Sequence, residues 1–87
     1  MTKQEITDRI ISNISKKSGV PSTELTLDST FESVGVDSLD GVEIIVDTEF
    51  EFKITIPDNR LLQLHSVGSL VDYVDESLHK KQRKKLN

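Results

Sequence analysis

The chain has 87 residues and a net charge of −4, and this length allows one small domain with a single core. It contains no cysteine, which excludes a disulfide framework, a thiolate metal site and a cysteine nucleophile within the chain. No apolar stretch approaches the roughly 20 residues that cross a bilayer, and the first ten residues are too polar for a secretory signal, so we expect a cytoplasmic protein that does not insert into membranes.

Acidic and basic residues are segregated along the chain. Residues 1–79 contain all 15 acidic residues but only six of the 11 basic ones, and the other five basic residues lie in residues 80–87. Between residues 24 and 58, ten acids accompany a single base, Lys53. Such a surface keeps a domain soluble, repels nucleic acid and attracts basic patches on other proteins. The sequence therefore predicts an acidic domain over residues 1–79, a basic C-terminal tail over residues 80–87, and no nucleic-acid partner.

The first predicted helix covers about residues 3–17. Thr2 and Glu5 have the spacing of a capping box at its start, and Gly19 favours a left-handed stop at its end. The apolar positions that recur on one face of this helix are Ile6, Ile10, Ile11 and Ile14. A long connection follows, residues 20–36, whose scattered apolar residues predict a loop that lies across the core and contains one or two helical turns.

A second helix is predicted to begin at Asp37, whose side chain can cap the free amides ahead of it. Ser38 then lies in the first turn, at the positive end of the helix dipole, and Asp40 adds favourable negative charge there. The apolar residues of this helix form two faces instead of one stripe. The set expected to enter the core is Ile44, Ile45, Thr48 and Phe52. The set expected to stay exposed is Leu39, Val42, Val46 and Phe50.

Two weaker patterns complete the chain. Residues 52–56 alternate like a strand, but no second strand pattern exists to pair with them, so we do not expect a sheet. Asp58 can start a short helical turn, and Ser66 can cap a final helix. The apolar positions of that helix are Val67, Leu70, Val71, Val74 and Leu78. We therefore predict an all-α fold, a small four-helix bundle with three main helices, a short third helix and a long loop after helix one.

Residues 35–40 read Gly-Val-Asp-Ser-Leu-Asp, and here the sequence resembles the acyl carrier protein family, whose attachment site reads Gly-x-Asp-Ser-Leu at the start of the second helix. The resemblance extends from the Leu-Asp-Ser-Thr-Phe run at residues 27–31 through the Ile-Pro-Asp run at residues 56–58 and the Ser-Val pair at residues 66–67 to the Asp-Tyr-Val run at residues 72–74. It implies a four-helix bundle of the acyl carrier protein type, with residues 1–79 as the acyl carrier domain.

By this resemblance, Ser38 carries a covalent 4′-phosphopantetheine group that a phosphopantetheinyl transferase takes from coenzyme A. The serine is a substrate and not a catalyst, so we do not expect the chain to be an enzyme. Asp37 and Leu39 are implied as the residues recognised beside it. The arm ends in a thiol, so a chain without cysteine can hold acyl groups as thioesters. As a monomer, it would deliver them to enzymes of fatty acid synthesis or of a specialised lipid or secondary-metabolite pathway.

The acidic second helix is implied to be the docking surface for basic patches on acyl-transferring and chain-modifying enzymes. Charge steers such encounters, and a small apolar centre holds them. The residues assigned to this surface are Asp40, Val42, Glu43, Val46 and Asp47. Gly41, Phe50 and Arg60 depart from the commonest pattern of the fatty-acid-synthesis members, which leaves the pathway open.

Other functions are alternatives at this point. A peptidyl or aminoacyl carrier of the same fold would differ only in its cargo. A protein-interaction module that is never modified would need Ser38 to be incidental. A hydrolase would use Ser38 with His65 or His79, but the sequence lacks the Gly-x-Ser-x-Gly elbow. A calcium site on the acids of the second helix would need the EF-hand spacing, which is absent.

Overall fold

The computed structural model describes the backbone of residues 1–86 and the side chains of residues 1–80. The helices in this part of the chain are α1 (Lys3–Ser18), α2 (Ser38–Phe52) and α3 (Val67–Leu86). Two 3₁₀ turns, Ser22–Glu24 and Asp58–Arg60, lie in the connections between them. The prediction of an all-α fold with three main helices is confirmed, and the short third helix is a single 3₁₀ turn.

The two ends of α1 are formed by the residues that the sequence indicated. Thr2 Oγ1 accepts a hydrogen bond from Glu5 N at 3.1 Å, and Glu5 Oε1 accepts one from Thr2 N at 2.9 Å, which confirms the capping box. The hydrogen bond from the Thr2 backbone N–H to the Glu5 carboxylate is the main cause that lowers the pKa of Glu5, and the Thr2 side chain lowers it further. Gly19 ends the helix with φ 79°, and its N–H donates to Ser15 O at 2.9 Å.

The core forms where α1 packs against both α2 and α3. Its helical members are Ile6, Ile10 and Ile14 from α1, Ile44, Ile45, Thr48 and Phe52 from α2, and Val67, Leu70, Val71 and Val74 from α3. The α2 members are the predicted core face of that helix. The hydroxyl of Thr48 donates to Ile44 O at 2.8 Å, so this buried polar group is satisfied. Ile11 of α1 is only half-buried, at the edge of the core.

The connection between α1 and α2 lies across the core, as predicted. Leu25 and Val36 are buried, and the first 3₁₀ turn lies inside this segment. Within the described backbone, β pairing is limited to one isolated antiparallel bridge between Thr30 and Ser66. The expectation that no sheet forms is therefore confirmed for residues 1–86.

Residues 27–31 are also bonded to the start of α3. Val67 N donates to Ser29 O at 3.0 Å, and Gly68 N donates to Leu27 O at 2.9 Å. The first amides of a helix have no acceptor within the helix, and here loop carbonyls supply one. A Cβ at Gly68 would lie 3.0 Å from Leu27 O, so glycine permits this close approach.

The start of α3 and its continuation complete the fold. Ser66 Oγ accepts from Ser69 N at 3.1 Å, and Ser69 Oγ accepts from Ser66 N at 3.1 Å, which confirms the predicted cap at Ser66. The backbone of α3 continues past residue 79 to Leu86. Apart from this backbone and Lys80, the predicted basic tail, residues 80–87, lies outside the described residues. No described helix is long and apolar enough to cross a membrane.

Candidate functional site

Ser38 is the first residue of α2, and its side chain is exposed. The helix is capped by the residue before it, because Asp37 Oδ1 accepts a hydrogen bond from Asp40 N at 2.9 Å. The Ser38 hydroxyl makes no hydrogen bond to any described residue. The cap predicted at Asp37 is confirmed, and the neighbouring hydroxyl is accessible to an incoming group.

The segment before Ser38 is tightly wound. Val36 is buried, and its N–H donates to Phe31 O at 2.9 Å. The N–H of Gly35 donates to Glu32 O at 3.1 Å, and Gly35 has φ 78°, in the left-handed region that favours glycine. The winding directs Val36 into the core while Ser38 remains outside.

An open groove of about 540 Å³ lies beside Ser38, between the first half of α2 and residues 61–65. Its apolar lining includes Phe31, Val42, Ile45, Leu61, Leu62 and Leu64. Its volume falls within the roughly 300–1,000 Å³ of ligand sites, and an apolar lining is usual for them. No local sequence pattern predicts this groove, because its walls come from three segments that are distant along the chain.

Gly41 and Leu62 lie in the two facing walls of the groove. A Cβ at Gly41 would lie 3.4 Å from Cδ2 of Phe31, so glycine keeps this wall of the groove thin. Leu62 follows the second 3₁₀ turn and is 92% exposed at the other wall. The exposed leucine adds to the open apolar surface beside Ser38.

Two glycine substitutions near the groove are expected to change stability in opposite directions. Gly41→Ala should raise the free energy of unfolding by about 0.5–1 kcal/mol, because glycine is unfavourable inside a helix and the new Cβ would only touch the Phe31 ring. Gly35→Ala should lower it by about 1–2 kcal/mol, because φ 78° strains alanine although the surrounding space is open. Urea unfolding of both variants and the parent measures the two changes. A loss of stability in Gly41→Ala would show that the ring cannot accommodate a methyl group.

The solvent side of α2 carries the second group of predicted residues. Leu39, Val42, Val46 and Phe50 are 68%, 46%, 39% and 80% exposed, which confirms the prediction of an exposed apolar set. We use "outer face of α2" for the predicted docking residues Asp40, Val42, Glu43, Val46 and Asp47 together with Leu39. The structure brings these residues together on one helix, directly after Ser38.

Glu43 already has a cation beside it within the molecule. Lys17 Nζ of α1 forms an ion pair with the Glu43 carboxylate. The hydrogen bond to Glu43 raises the pKa of Lys17, and the charges of Asp47 and Asp40 raise it further. The pair joins residues 26 positions apart, so no local sequence pattern indicated it. Among the carboxylates of the outer face, Asp40 and Asp47 form no ion pair with a described residue.

Comparison with known proteins adds the decisive observation. A family model described as "Phosphopantetheine attachment site" matches residues 8–74, a span that includes Ser38. The chain is 38% identical over 76 residues to the acyl carrier protein of Exiguobacterium sibiricum, which covers 86% of this chain and 96% of that protein. The chain belongs to the acyl carrier protein family.

Further acyl carrier proteins are similar to this one. That of Cyanidioschyzon merolae is 37% identical over 82 residues, which cover 93% of this chain and 88% of the relative. The mitochondrial acyl carrier protein of Dictyostelium discoideum is 36% identical over 74 residues, which cover 85% of this chain and 62% of the relative. A solved acyl carrier protein structure from Enterococcus faecalis matches the fold with a TM-score of 0.77 at 24% identity, over 88% of this chain and 99% of that one.

Acyl carrier proteins are non-catalytic carriers with a phosphopantetheine attachment site, as the sequence predicted. The start of α2 fits this group. A phosphodiester on an exposed hydroxyl there lies next to helix amides that have no intrahelical acceptor and at the positive end of the helix dipole. Ser38 also lines the apolar groove.

The geometry does not favour the hydrolase or the calcium alternative. Ser38 and His65 both border the groove, but no hydrogen bond joins their side chains, so the described residues form no nucleophile–base pair there. His79 pairs with Asp75 on α3 instead, with 3.4 Å between its Nδ1 and Asp75 Oδ1. The side chains of residues 1–80 form no group of three or more metal-ligating residues.

Proposed function

We propose that this chain carries acyl groups as thioesters on a 4′-phosphopantetheine arm attached to Ser38 and delivers them to partner enzymes. The observation that carries the proposal is the exposed Ser38 hydroxyl at the start of α2, which makes no hydrogen bond to the part of the chain that the structure describes. Asp37 and Leu39 flank it, and both are exposed. We assign these two neighbours to recognition by the phosphopantetheinyl transferase.

Attachment needs only one group from this chain. Ser38 Oγ forms a bond to the phosphorus of the phosphopantetheine half of coenzyme A, the pyrophosphate bond breaks, and the nucleotide half leaves. The hydroxyl proton passes to a base of the transferase or to solvent. The part played by this chain is to hold the hydroxyl outward at a defined point, through the Asp37 cap and the winding of residues 31–36.

The groove supports an acyl cargo over an aminoacyl one. Each methylene group that leaves water for an apolar surface contributes about 0.8 kcal/mol, so an alkyl chain gains by entering. The lining also includes the carboxylates of Glu32 and Asp37, but a charged ammonium group would lose hydration against the apolar walls that make up most of the groove. The peptidyl or aminoacyl carrier of the same fold therefore takes second place.

We propose the outer face of α2 as the docking surface for the transferase and for acyl-transferring and chain-modifying enzymes of fatty acid synthesis or of a specialised lipid or secondary-metabolite pathway. Its acids surround an exposed apolar centre, the combination found in transient interfaces. Arg60, one of the departures from the commonest pattern of the fatty-acid-synthesis members, lies 5.6 Å from the centroid of the Tyr73 ring, and this changed surface near the second 3₁₀ turn favours a dedicated pathway. We propose a cytoplasmic location, although one similar protein is named mitochondrial.

Loading in vitro tests the proposal. Incubation with coenzyme A, magnesium and a broad-specificity transferase should add one phosphopantetheine, seen as a single mass increment that maps to Ser38 and creates one titratable thiol. Octanoyl and alanyl thioesters of the loaded protein then compare cargoes. The octanoyl form should melt at a higher temperature than the free-thiol form, and the alanyl form should not. No loading by several transferases would support the unmodified interaction module, and stabilisation by alanine alone would support the aminoacyl carrier.

Removal of the Lys17 charge is expected to speed docking. Lys17→Met frees Glu43 to meet a basic residue of the partner, and Lys16→Met removes an equal charge from the side of α1 that faces the first 3₁₀ turn. We expect Lys17→Met to raise kcat/KM for loading about two- to fivefold at low ionic strength. This range corresponds to the interaction energy of an exposed ion pair. Lys16→Met should have a clearly smaller effect. Equal effects of the two variants would show that only net charge matters.

A further inference from the structure

Phe50 is the most exposed apolar side chain of α2, at 80%. Single exposed apolar residues are ordinary on protein surfaces, so exposure alone carries no function. Its position is what matters. Phe50 follows Val46 by four residues and Leu39 by eleven, which places all three side chains on one face of the helix. It therefore extends the apolar centre of the outer face of α2 by one further helical turn.

The charges around Phe50 differ from those nearer Ser38. Glu49 Oε2 accepts a hydrogen bond from Ile56 N at 2.8 Å. Glu51 Oε1 accepts one from Asn13 Nδ2 at 2.8 Å, and its Oε2 lies 3.4 Å from Arg9 Nη1. The two acids beside Phe50 are thus engaged within the molecule. The last turns of α2 offer a partner an aromatic ring, whereas the first turns offer carboxylates.

We propose that Phe50 is a second anchor for partner enzymes, inserting into an apolar socket on the enzyme next to the basic patch that meets Asp40 and Asp47. Phe50 lies twelve residues beyond Ser38, so the socket should lie about 18 Å from the point where the enzyme receives the arm. This inference rests on the proposed docking through the outer face of α2. The partner is then an enzyme whose surface combines a cationic patch with an aromatic-binding pocket at that distance.

A second copy of this chain is a poor occupant for the same surface. Pairing two outer faces of α2 would bring the carboxylates of Asp40, Glu43 and Asp47 against their equivalents, and like charges across an interface are costly. A cationic enzyme surface meets no such repulsion, because its charges complement these acids. Charge complementarity thus selects the enzyme as the occupant.

The experiment compares acyl transfer from three variants to a thiol-dependent condensing enzyme of the source organism. Phe50→Gln removes the ring, Phe50→Leu keeps an apolar side chain, and Leu27→Gln makes the same apolar-to-amide change at a loop residue that is 50% exposed. We expect Phe50→Gln to lower the second-order rate constant of transfer about tenfold, Phe50→Leu to retain most of it, and Leu27→Gln to leave it unchanged. The loss should persist at 0.5 M salt, since apolar contacts are not screened.

The outcomes separate this inference from the proposed function. If the parent chain is not loaded at Ser38, the proposed function itself fails. If all proteins are loaded and Phe50→Gln transfers acyl groups as fast as the parent, only the Phe50 anchor is refuted. Circular dichroism and melting temperature should be unchanged in Phe50→Gln because the ring is exposed, and a large loss of stability would overturn the assignment. Sedimentation that shows a dimer of the parent and a monomer of Phe50→Gln would assign the surface to a second copy and also overturn it.

Discussion

The Ser38→Ala protein should take up no phosphopantetheine from coenzyme A while it keeps its fold. The substitution removes the only group that we propose as the attachment point. It leaves the Asp37 cap intact, because the bond between Asp37 Oδ1 and Asp40 N does not involve the Ser38 side chain. Alanine is also the better helix former, so the free energy of unfolding should change by less than about 0.5 kcal/mol. Intact-protein mass spectrometry and thiol titration measure the loading.

A matched variant makes the loss of loading specific. Ser12→Ala exchanges an exposed serine inside α1 by the same substitution, and it should load at the rate of the parent. Uptake by Ser38→Ala, or a mass increment that maps to another serine, would refute Ser38 as the attachment residue. Loss of loading in Ser12→Ala would instead indicate that α1 contributes to the site recognised by the transferase.

Reversal of two free carboxylates on the outer face of α2 should slow loading at least tenfold at low ionic strength. Asp40 and Asp47 are the suitable pair, since neither has an ion-pair partner among the described residues, whereas Glu43 faces Lys17. In Asp40→Lys/Asp47→Lys, attraction to a basic patch becomes repulsion, which acts mainly on the association rate. At 0.5 M salt the difference from the parent should shrink severalfold, because screening shortens the range of the charges. Stopped-flow or steady-state loading rates over a salt series provide the measurement.

The control for this pair changes net charge equally on other surfaces. Asp8 lies on the side of α1 next to the first 3₁₀ turn, and Glu76 lies on α3, paired with Lys80. Asp8→Lys/Glu76→Lys should retain most of the loading rate of the parent. A loss as great as that of the α2 pair would attribute the effect to overall charge and remove the outer face of α2 from the docking proposal.

The helices and their ends could be predicted from short-range sequence patterns. The capping box at Thr2, the left-handed stop at Gly19 and the Asp37 cap are each made by residues within five positions of one another, so the sequence displays them directly. The division of α2 into a buried and an exposed apolar set was likewise readable, because both sets recur with the period of the helix. The role of Ser38 as the attachment residue was predicted for a different reason, because the serine lies in a motif known from the acyl carrier family.

Contacts between distant segments were beyond the sequence patterns. The groove needs Phe31, α2 and residues 61–65 to meet, and the Lys17–Glu43 pair needs the packing of α1 against α2. Neither meeting leaves a periodic signal. The segment after Pro57 forms one 3₁₀ turn in place of the predicted short helix, and its cap position is Pro57, whose side chain cannot accept a hydrogen bond. Glu49 and Glu51, the acids on either side of Phe50, accept hydrogen bonds from other parts of the chain. These bonds also depend on tertiary packing.

The bonds between residues 27–31 and the start of α3 tie the loop before Ser38 to a helix that is synthesised after it. The amides of Val67 and Gly68 donate to the carbonyls of Ser29 and Leu27, and the loop so held leads directly to Ser38. A nascent chain that has reached only residue 60 already contains the whole attachment motif but lacks the partner that holds this loop in place. The loop before Ser38 therefore gains these two hydrogen bonds only after residues 67 and 68 have been synthesised, so we expect the attachment segment to reach its folded form after α3 begins to form.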